Sequence, residues 1–213
     1  AFKEHLISRG IQENKINVIT NGVDPKKFLP IEKNSELLEK LNLRDKFIIG
    51  YIGTHGMAHS LDFIINCLPE VTDPSIHFLF VGDGAAKKEV QQSAEQLQLA
   101  NATFLPPVSK NDVSDYVGIS DAVLVPLKKS DTFKSVIPSK IFESAAMQKP
   151  ILLGVDGHAR EILEEFDAGL YFEPENKDEF LKAVNEIKIN KGLYSSIQLG
   201  EQKLAKAYDR NTL

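Results

Sequence analysis

The stretch Phe47-Ile48-Ile49-Gly50-Tyr51-Ile52-Gly53 decides the fold class of this chain. Apart from its two glycines it consists of β-branched and aromatic residues. Two similar runs follow it, HFLFVG at 77–82 and AVLVP at 122–126. Strands that are buried on both faces of a sheet have such near-continuous apolar runs. Because longer amphipathic stretches separate the runs, the pattern predicts βαβ crossovers and a parallel sheet.

The same alternation continues along the chain and predicts an α/β fold with a doubly wound parallel sheet. The predicted strands are Asn17–Thr20, Phe47–Gly53, Ile76–Gly82, Ala102–Leu105, Ala122–Pro126, Pro150–Gly154 and Gly169–Phe172. The predicted helices are Leu61–Pro69, Ala85–Leu99, Lys110–Gly118, Ser139–Met147, Arg160–Phe166, Lys177–Ile189 and Leu193–Tyr208.

Residues 1–30 differ in organisation from the rest of the chain. A helix-like segment leads to one predicted strand and then to Asn21-Gly22-Val23-Asp24-Pro25, which is typical of a turn. We therefore predict that residues 1–30 are the end of a preceding domain or an interdomain linker. Residues 31–213 form the doubly wound domain in this interpretation.

The composition excludes several classes of protein. The chain has 213 residues, with 25 Lys plus Arg and 30 Asp plus Glu, for a formal net charge of -5. Nonspecific binding to duplex nucleic acid needs a basic face instead. Cys67 is the only cysteine, which excludes a disulfide framework and a cysteine-based zinc site. The sequence contains no apolar run of membrane-spanning length and no signal peptide. We expect a cytoplasmic domain, and the first residue, which is not Met, suggests a fragment of a longer protein.

Ligands of open parallel sheets bind beyond the carboxyl ends of the strands, where the strand order reverses. The first strong strand is followed by Gly53-Thr54-His55-Gly56, whose glycines let backbone N–H groups approach an anion. The loop has neither the G-x-G-x-x-G of dinucleotide-binding folds nor the G-K-[ST] of a P-loop. It fits either a phosphate contact, with His55 and His59 taking part, or a tight turn without a ligand.

The turn Gly82-Asp83-Gly84 follows the next buried strand. Asp83 is in a position to cap a helix that begins near Ala85, because a carboxylate accepts the free N–H groups of a first helical turn. We favour this capping role over contact with a ligand.

The segment Ser135–Met147 carries the strongest local signal for a binding site. Pro138 and Ser139 are typical of a helix start, whose free N–H groups together with Lys140 suit a diphosphate. Glu143 lies one turn further along and could accept hydrogen bonds from the vicinal hydroxyls of a sugar. The alternative is an ordinary amphipathic helix with a serine cap and an exposed glutamate.

The order of the motifs resembles the C-terminal half of the family 4 glycosyltransferases, over a range from about Val18 to the end of the chain. The motifs are NGVDPKKF (21–28), GYIGTHG (50–56), FVGDG (80–84), PPVS (106–109), SDAVLVPL (120–127), PSKIFESAAMQKPIL (138–152) and REILEEFDAGLYFEPEN (160–176). The resemblance implies the GT-B fold of two Rossmann-like domains. It also implies retaining, metal-independent transfer from a nucleotide sugar, with no cofactor beyond that substrate. The polysaccharide and O-antigen enzymes are the most similar subgroup.

The resemblance assigns a substrate-binding or catalytic role to nine residues of the donor site. Gly53, Thr54 and His55 would lie against the donor diphosphate, and the backbone of Val108 against the base. Pro138 and Ser139 would bring the helix end to the diphosphate, and Lys140 would stabilise the leaving group during catalysis. Glu143 would bind the ribose hydroxyls. The remaining residue is Ser135, at the donor sugar.

The chain departs from the family pattern at two places. Ser135 stands where the Glu-x7-Glu motif has its first glutamate, eight residues before Glu143. The usual Arg and Lys after the first strand are also missing, since Thr54, His55 and His59 occupy that region. The resemblance then leaves Lys140, Lys134 or Lys129 to supply the positive charge.

In this family the N-terminal domain carries the acceptor site. We therefore expect this chain to bind a donor weakly and to transfer nothing by itself, and the expected donor is a UDP-sugar. The acceptor would be a glycan or a lipid-linked sugar, and the full-length enzyme would be cytoplasmic or peripheral to the inner membrane face. Two alternatives remain: an NAD-dependent oxidoreductase domain with Asp83 on the ribose, and a non-enzymatic flavodoxin-like module. The missing G-x-G-x-x-G argues against the first, and Gly-Thr-His-Gly in place of an acidic cluster argues against the second.

Overall fold

A parallel six-stranded sheet organises residues 2–212, the part of the chain that the computed structural model describes. The strands are β1 (Phe47–Ile52), β2 (Ile76–Val81), β3 (Ala102–Leu105), β4 (Ala122–Pro126), β5 (Ile151–Gly154) and β6 (Gly169–Tyr171). Their order across the sheet is β3-β2-β1-β4-β5-β6, and every neighbouring pair is parallel. This is the doubly wound, Rossmann-like order, so the predicted fold class is confirmed.

Both faces of the sheet are buried, as the apolar runs predicted. In β1, Ile48 and Ile52 belong to the core on one face, whereas Ile49 and Tyr51 belong to the core on the other. The alternation follows from the two-residue period of a strand. A strand in this position needs apolar side chains throughout, and this explains why the run FIIGYIG has no polar alternation.

The described residues contain nine helices, most of which pack on the two faces of the sheet. They are α1 (Phe2–Ser8), α2 (Ser35–Lys40), α3 (Leu61–Cys67), α4 (Lys87–Gln96), α5 (Val113–Ile119), α6 (Lys140–Ala146), α7 (His158–Phe166), α8 (Lys177–Ile189) and α9 (Lys191–Ala207). The helices α3, α4 and α8 pack on the face of Ile49 and Tyr51, and α5, α6 and α7 pack on the face of Ile48 and Ile52. Within residues 2–212, none of the helices is both long enough and apolar enough to cross a bilayer.

Before β1, the predicted strand at 17–20 was wrong, and one helix was not predicted. Residues 17–20 form no strand, and Val18 and Ile19 are 63% and 90% exposed. β-branched residues favour a strand, but a strand needs a hydrogen-bonded neighbour, which residues 17–20 do not have in the described part of the chain. Conversely, the polar stretch 32–46 contains α2, whose N-terminus is capped by the Asn34 side chain accepting from the Leu37 N–H.

The segment before residue 31 contributes to the packed fold. Val23 is 2% exposed and belongs to the core cluster, and it forms a parallel β-bridge with Asp209. Its N–H donates to the carbonyl of Tyr208, and its carbonyl accepts from the N–H of Arg210. The boundary at residue 30 stays a prediction, but this pairing brings residues 22–28 and the end of the chain to the same edge of the sheet.

Candidate functional site

A cavity of about 570 Å³ opens at the carboxyl end of β1, beside the reversal of strand order between β1 and β4. We call it the switch-point cavity. Its wall combines the loop after β1, the starts of α5 and α6, the segment 22–28 and the end of the chain. The lining residues are Gly22, Val23, Asp24, Lys27, Phe28, Ile52, Gly53, Thr54, Lys110, Val113, Ser139, Lys140, Glu143 and Arg210. Its position is the one at which doubly wound sheets bind ligands.

Close backbone contacts shape the loop after β1. Gly53 has a φ of +142°, and Gly82 has a φ of +146°. The backbone of Gly82 also lies so close to the Gly53 carbonyl that a β-carbon on Gly82 would come within 1.9 Å of the carbonyl oxygen. Only glycine adopts such backbone angles without strain. The His55 N–H donates to the Asp83 carbonyl at 2.8 Å, and the Tyr51 hydroxyl donates to the Thr54 carbonyl at 2.5 Å. The loop is therefore held at three points beside the cavity.

The side chain of Lys140 lies across this loop. Its Nζ is 3.7 Å from the centroid of the Tyr51 ring, and its Cε is 2.7 Å from the place of a β-carbon on Gly53. Loss of hydration at this site lowers the pKa of Lys140 to about 7, although the carboxylate of Glu143 acts in the opposite direction. A cationic side chain is thus held at the cavity wall in a setting that disfavours its charge.

Glu143 follows one turn later on α6 and lines the same cavity. Burial raises the pKa of its carboxyl group, while a hydrogen bond from Ser139 and the charges of Lys140 and Arg210 lower it. This carboxylate is partly shielded from solvent and has lone pairs that can accept further hydrogen bonds. It is suited to accept hydrogen bonds from hydroxyl groups of a ligand.

Four cations and two carboxylates line the switch-point cavity. The cations are Lys27, Lys110, Lys140 and Arg210, and the carboxylates are Asp24 and Glu143. Within residues 2–212, none of the four cations forms an ion pair of 4.0 Å or less. The cavity therefore has an excess of unneutralised positive charge, which favours an anionic ligand. Residues 2–212 contain no group of three or more His, Cys, Asp or Glu side chains arranged to hold a metal ion.

A second cavity, of about 410 Å³, lies at the carboxyl ends of β4, β5 and β6, and we call it the outer cavity. Its wall includes Lys129 and Lys134, two of the lysines that the sequence offered as replacements for the missing basic pair. Lys129 Nζ lies 2.6 Å from Glu173 Oε1, and Lys134 Nζ lies 2.8 Å from Asp131 Oδ1. Both lysines are thus neutralised by partners within the protein.

Residues 33–203 match the protein family described as Glycosyl transferases group 1. The chain belongs to this family. The match covers most of the chain, including the loop after β1 and the whole of α6. It favours the glycosyltransferase interpretation over both the oxidoreductase and the flavodoxin-like alternatives.

Three proteins illustrate the similarity. TuaH of Bacillus subtilis (strain 168), named for teichuronic acid biosynthesis, is 30% identical over 138 residues, which are 65% of this chain and 34% of TuaH. The Escherichia coli UDP-Gal:alpha-D-GlcNAc-diphosphoundecaprenol alpha-1,3-galactosyltransferase is 27% identical over 191 residues, 84% of this chain and 46% of that enzyme. The crystal structure of Anabaena Alr3699/HepE in complex with UDP and glucose aligns with a TM-score of 0.84 at 20% identity, over 99% of this chain and 57% of that one. The fold is that of the GT-B glycosyltransferases, and the chain spans about a third to a half of the length of these curated relatives.

The switch-point cavity of this group 1 chain brings five of the predicted site residues together. Gly53 and Thr54 come from the loop after β1, and Ser139, Lys140 and Glu143 come from the start of α6. Their roles in binding a ligand stay predictions. The two groups are at least 85 positions apart in the sequence. They share one wall because β1 and β4 are neighbours in the sheet, and α6 follows β4 along the chain.

His55 is not part of this wall, which corrects its predicted contact with phosphate through the side chain. The imidazole is 0% exposed, and its two ring nitrogens have no hydrogen-bond partner in the described structure. Burial, followed by the charge of Lys87, lowers its pKa to about 4, so the ring is neutral. His59 is half-buried, and its Nδ1 accepts from the Gly56 N–H at 3.2 Å. Both histidines help to shape the loop.

Three further predicted residues, Val108, Ser135 and Pro138, do not line the switch-point cavity. Val108 packs against the core, and its neighbours Lys110 and Val113 reach the cavity instead. Ser135 ends a short 3-10 helix, Asp131–Ser135, and its hydroxyl donates to the Thr132 carbonyl at 3.3 Å. The Pro138 carbonyl accepts from the Ile141 N–H. Their assignments to base, sugar and diphosphate stay predictions.

The described structure has neither the predicted Asp83 cap nor the serine cap of the alternative interpretation. The helix α4 begins at Lys87 after an Ala86 cap, and the Asp83 carboxylate accepts from the adjacent Gly84 N–H at 2.8 Å. Ser139 occupies the cap position of α6 but forms no side-chain cap bond. Backbone carbonyls accept some of these N–H groups instead: the Ala86 N–H donates to the His55 carbonyl, and the Ile141 N–H donates to the Pro138 carbonyl.

Sequence analysis missed Lys27, Lys110 and Arg210 as members of the site. Arg210 reaches the cavity because its backbone pairs with Val23, across almost the whole length of the chain. Such a pairing leaves no local pattern in the sequence. A signal was available for Lys27, which lies in the motif NGVDPKKF that carried the resemblance.

Proposed function

We propose that this chain is the donor-binding part of a retaining, metal-independent glycosyltransferase and that the switch-point cavity binds the nucleoside diphosphate of a UDP-sugar. The observation that carries the proposal is the joint placement of Gly53–Thr54, the start of α6, Lys140 and Glu143 around one cavity at the switch point. Two further observations support the proposal. The chain belongs to the group 1 family of glycosyltransferases, and the switch point is the place where doubly wound sheets bind nucleotides.

The charge of the cavity supports a diphosphate as the bound group. Four unpaired cations face a ligand that carries several negative charges, and charge-assisted hydrogen bonds are the strong ones. Glu143 would accept hydrogen bonds from the ribose hydroxyls, one helical turn beyond the diphosphate at Ser139 and Lys140. The base would lie toward Lys110 and Val113, near the predicted Val108 contact.

The transfer itself would proceed by charge stabilisation. The bond between the anomeric carbon and the diphosphate oxygen breaks, and the electron pair leaves on the diphosphate. The acceptor hydroxyl oxygen bonds to the anomeric carbon from the same face and gives up its proton to the departing diphosphate. Lys140 and the neighbouring cations would stabilise the negative charge that develops on the leaving group.

The acceptor in this proposal is a glycan or a lipid-linked sugar, bound by residues outside this chain. The name of the E. coli relative includes a diphosphoundecaprenol-linked sugar, and TuaH is named for teichuronic acid biosynthesis. The chain covers 46% of the first of these proteins and 34% of the second. We therefore expect it to bind the donor without transferring the sugar. The cytoplasmic location stays a prediction.

Calorimetric titration with UDP, GDP, ADP and NAD tests the proposal. We expect a nucleoside diphosphate, UDP foremost, to bind in preference to NAD, and Glu143→Ala to weaken it. Glu173→Ala is the matched control, since Glu173 lies at the same sheet edge but in the outer cavity. Tight NAD binding, or no binding of any nucleoside diphosphate, would overturn the proposal.

A further inference from the structure

The amine of Lys140 rests on an aromatic ring, whereas other inward-reaching lysines donate to carbonyl oxygens. Lys87 Nζ donates to two backbone carbonyls beside the ends of β2 and β3, and Lys149 Nζ donates to one in α5. Within residues 2–212, Lys140 Nζ has no hydrogen bond and no ion pair, and it lies 3.7 Å from the centroid of the Tyr51 ring. The N–H bonds that point away from the ring are therefore available to a ligand in the cavity that Lys140 lines.

The Tyr51 ring is itself fixed in the core. Tyr51 is 1% exposed and belongs to the core cluster on one face of the sheet. Its ring centroid lies 5.5 Å from that of His55 and 6.3 Å from that of Phe80, and its hydroxyl donates to the Thr54 carbonyl. The ring is thus a rigid support for the amine above it.

An aromatic face attracts the charged form of a lysine. The face is the negative part of the ring quadrupole, so it stabilises an ammonium placed over it, and it does so more strongly where water is excluded. Loss of hydration disfavours the charge of Lys140, and the Tyr51 ring offsets part of that cost. The contact therefore favours the ammonium and one position of the side chain together.

The hydroxyl of Tyr51 acts on the loop after β1. Of the four N–H groups at 53–56, three donate to acceptors within the protein. The Thr54 N–H has no acceptor in the described part of the chain, and Thr54 lines the cavity. Because the Tyr51 hydroxyl donates to the Thr54 carbonyl, it fixes the backbone of the residue that carries this unpaired N–H.

We propose that Tyr51 is a positioning residue of the donor site: its ring holds Lys140 as an ammonium and its hydroxyl holds Thr54, so that both groups are in place before the donor diphosphate binds. The inference rests on the proposed function, because it needs a diphosphate in the switch-point cavity. Tyr51 does not line this cavity and acts only through its two neighbours. It raises the affinity because a side chain that is already ordered loses less freedom when the ligand binds.

A fluorine series at position 51 tests the ring contact at nearly constant volume. The variants are Tyr51→Phe and its analogues with one, two and three ring fluorines, each of which withdraws charge from the ring face and weakens its attraction for an ammonium. We expect the Kd for UDP, measured by titration calorimetry near pH 6, to rise with each fluorine, by about two- to tenfold over the series. This pH lies below the lowered pKa of Lys140, about 7, so the amine is mostly charged throughout.

A double-mutant cycle tests whether the ring acts through Lys140. The step from Tyr51→Phe to Tyr51→Leu removes the ring alone, and we expect it to weaken UDP binding by about two- to tenfold. In a Lys140→Met background, which lacks the charge, the same step should change the affinity by less than about twofold. The loss of the hydroxyl in Tyr51→Phe should weaken binding by about two- to fivefold in both backgrounds, because it acts through Thr54.

Tyr194 provides the matched control. Its hydroxyl also donates to a backbone carbonyl, that of Asp121, but at the amino end of β4. Tyr194→Phe and Tyr194→Leu should leave the affinity for UDP unchanged, whatever they do to the melting temperature. A tyrosine that only supports the fold would behave in this way at position 51 as well.

The two proposals fail in different ways in these experiments. If the wild-type chain does not bind UDP, the proposed function is overturned. If it binds UDP with an affinity that stays constant or rises along the fluorine series, or if ring removal costs the same with and without Lys140, the role of the ring is overturned and the binding function stands. An unchanged affinity in Tyr51→Phe would overturn the role of the hydroxyl. Should Tyr51→Leu not fold, the fluorine series decides alone.

Discussion

The switch-point cavity and the outer cavity lie at the same edge of the sheet and both have lysines in their walls, but those lysines have different partners. In the outer cavity Lys129 and Lys134 are paired with Glu173 and Asp131. In the switch-point cavity Lys140 lies over an aromatic ring instead. A paired lysine has little charge left to offer a ligand. We infer from this comparison that the pairing of lysines near a strand end is a better guide to a candidate anion site than their number.

Of the variants considered for the two cavities, Gly53→Ala is expected to have the largest effect on the affinity for UDP. The substitution imposes a β-carbon at φ +142° and pushes it against the end of the Lys140 side chain. Backbone strain of this kind costs about 1–3 kcal/mol, so we expect UDP affinity to fall by about tenfold to a hundredfold as the loop shifts. Titration with UDP measures the change.

Gly192→Ala is the control for Gly53→Ala. A β-carbon at Gly192 would have its nearest contact at 3.6 Å from Asn190 Oδ1, an ordinary distance, on the far side of the domain. Its UDP affinity should equal that of wild type. If Gly53→Ala binds UDP as well as Gly192→Ala does, the loop after β1 is not part of the binding site.

Removing one cation from each cavity should change the affinity for UDP less, and only at the switch-point cavity. Arg210 is exposed and unpaired in the described structure, so Arg210→Ala should weaken UDP binding by about three- to tenfold after allowance for solvent screening. Lys129→Ala should leave the affinity unchanged, because that charge is already neutralised by Glu173. Equal losses in the two variants would show that pairing does not distinguish the cavities.

The fold could be predicted from the sequence because its signals are local. Each buried strand is a continuous apolar run, and the alternation with helices dictates a parallel sheet whatever the rest of the chain does. The exceptions are instructive. Residues 17–20 have the composition of a strand but no neighbour to pair with, and α2 depends on a single Asn34 cap within a polar stretch.

The site could be predicted in part, for a related reason. Strand ends and the helix start at Ser139 are visible locally, and they gave Gly53, Thr54, Lys140 and Glu143. The pairing that brings Arg210 to the cavity spans almost the entire sequence and has no local signature. The burial of His55 also escaped prediction, because a histidine in a glycine-bracketed loop gives no indication of which way its ring points.

The smallest expected effect is on the free energy of unfolding. Ionisation of Glu143 in the switch-point cavity should lower it, and ionisation of Glu173 in the outer cavity should raise it. Burial raises the pKa of Glu143, so its folded form binds a proton more readily than the unfolded chain does, and its ionisation costs stability as the pH rises through the raised pKa. Lys129 lowers the pKa of Glu173, whose ionised form therefore adds stability that is present above the unfolded value and lost as the pH falls.

Thermal unfolding of Glu143→Gln and Glu173→Gln at pH 7 tests these signs. We expect Glu143→Gln to unfold at a higher temperature than wild type, by at most about 2–4 °C, the shift that 1 kcal/mol produces in a chain of this size. Glu173→Gln should unfold at a slightly lower temperature, because its carboxylate is exposed and screened by solvent. At a pH below the unfolded value of both carboxyls the two differences should shrink. A lower melting temperature for Glu143→Gln at pH 7 would contradict this expectation. It would mean that neighbouring groups in the protein already stabilise the ionised Glu143 carboxylate, as Lys129 stabilises that of Glu173.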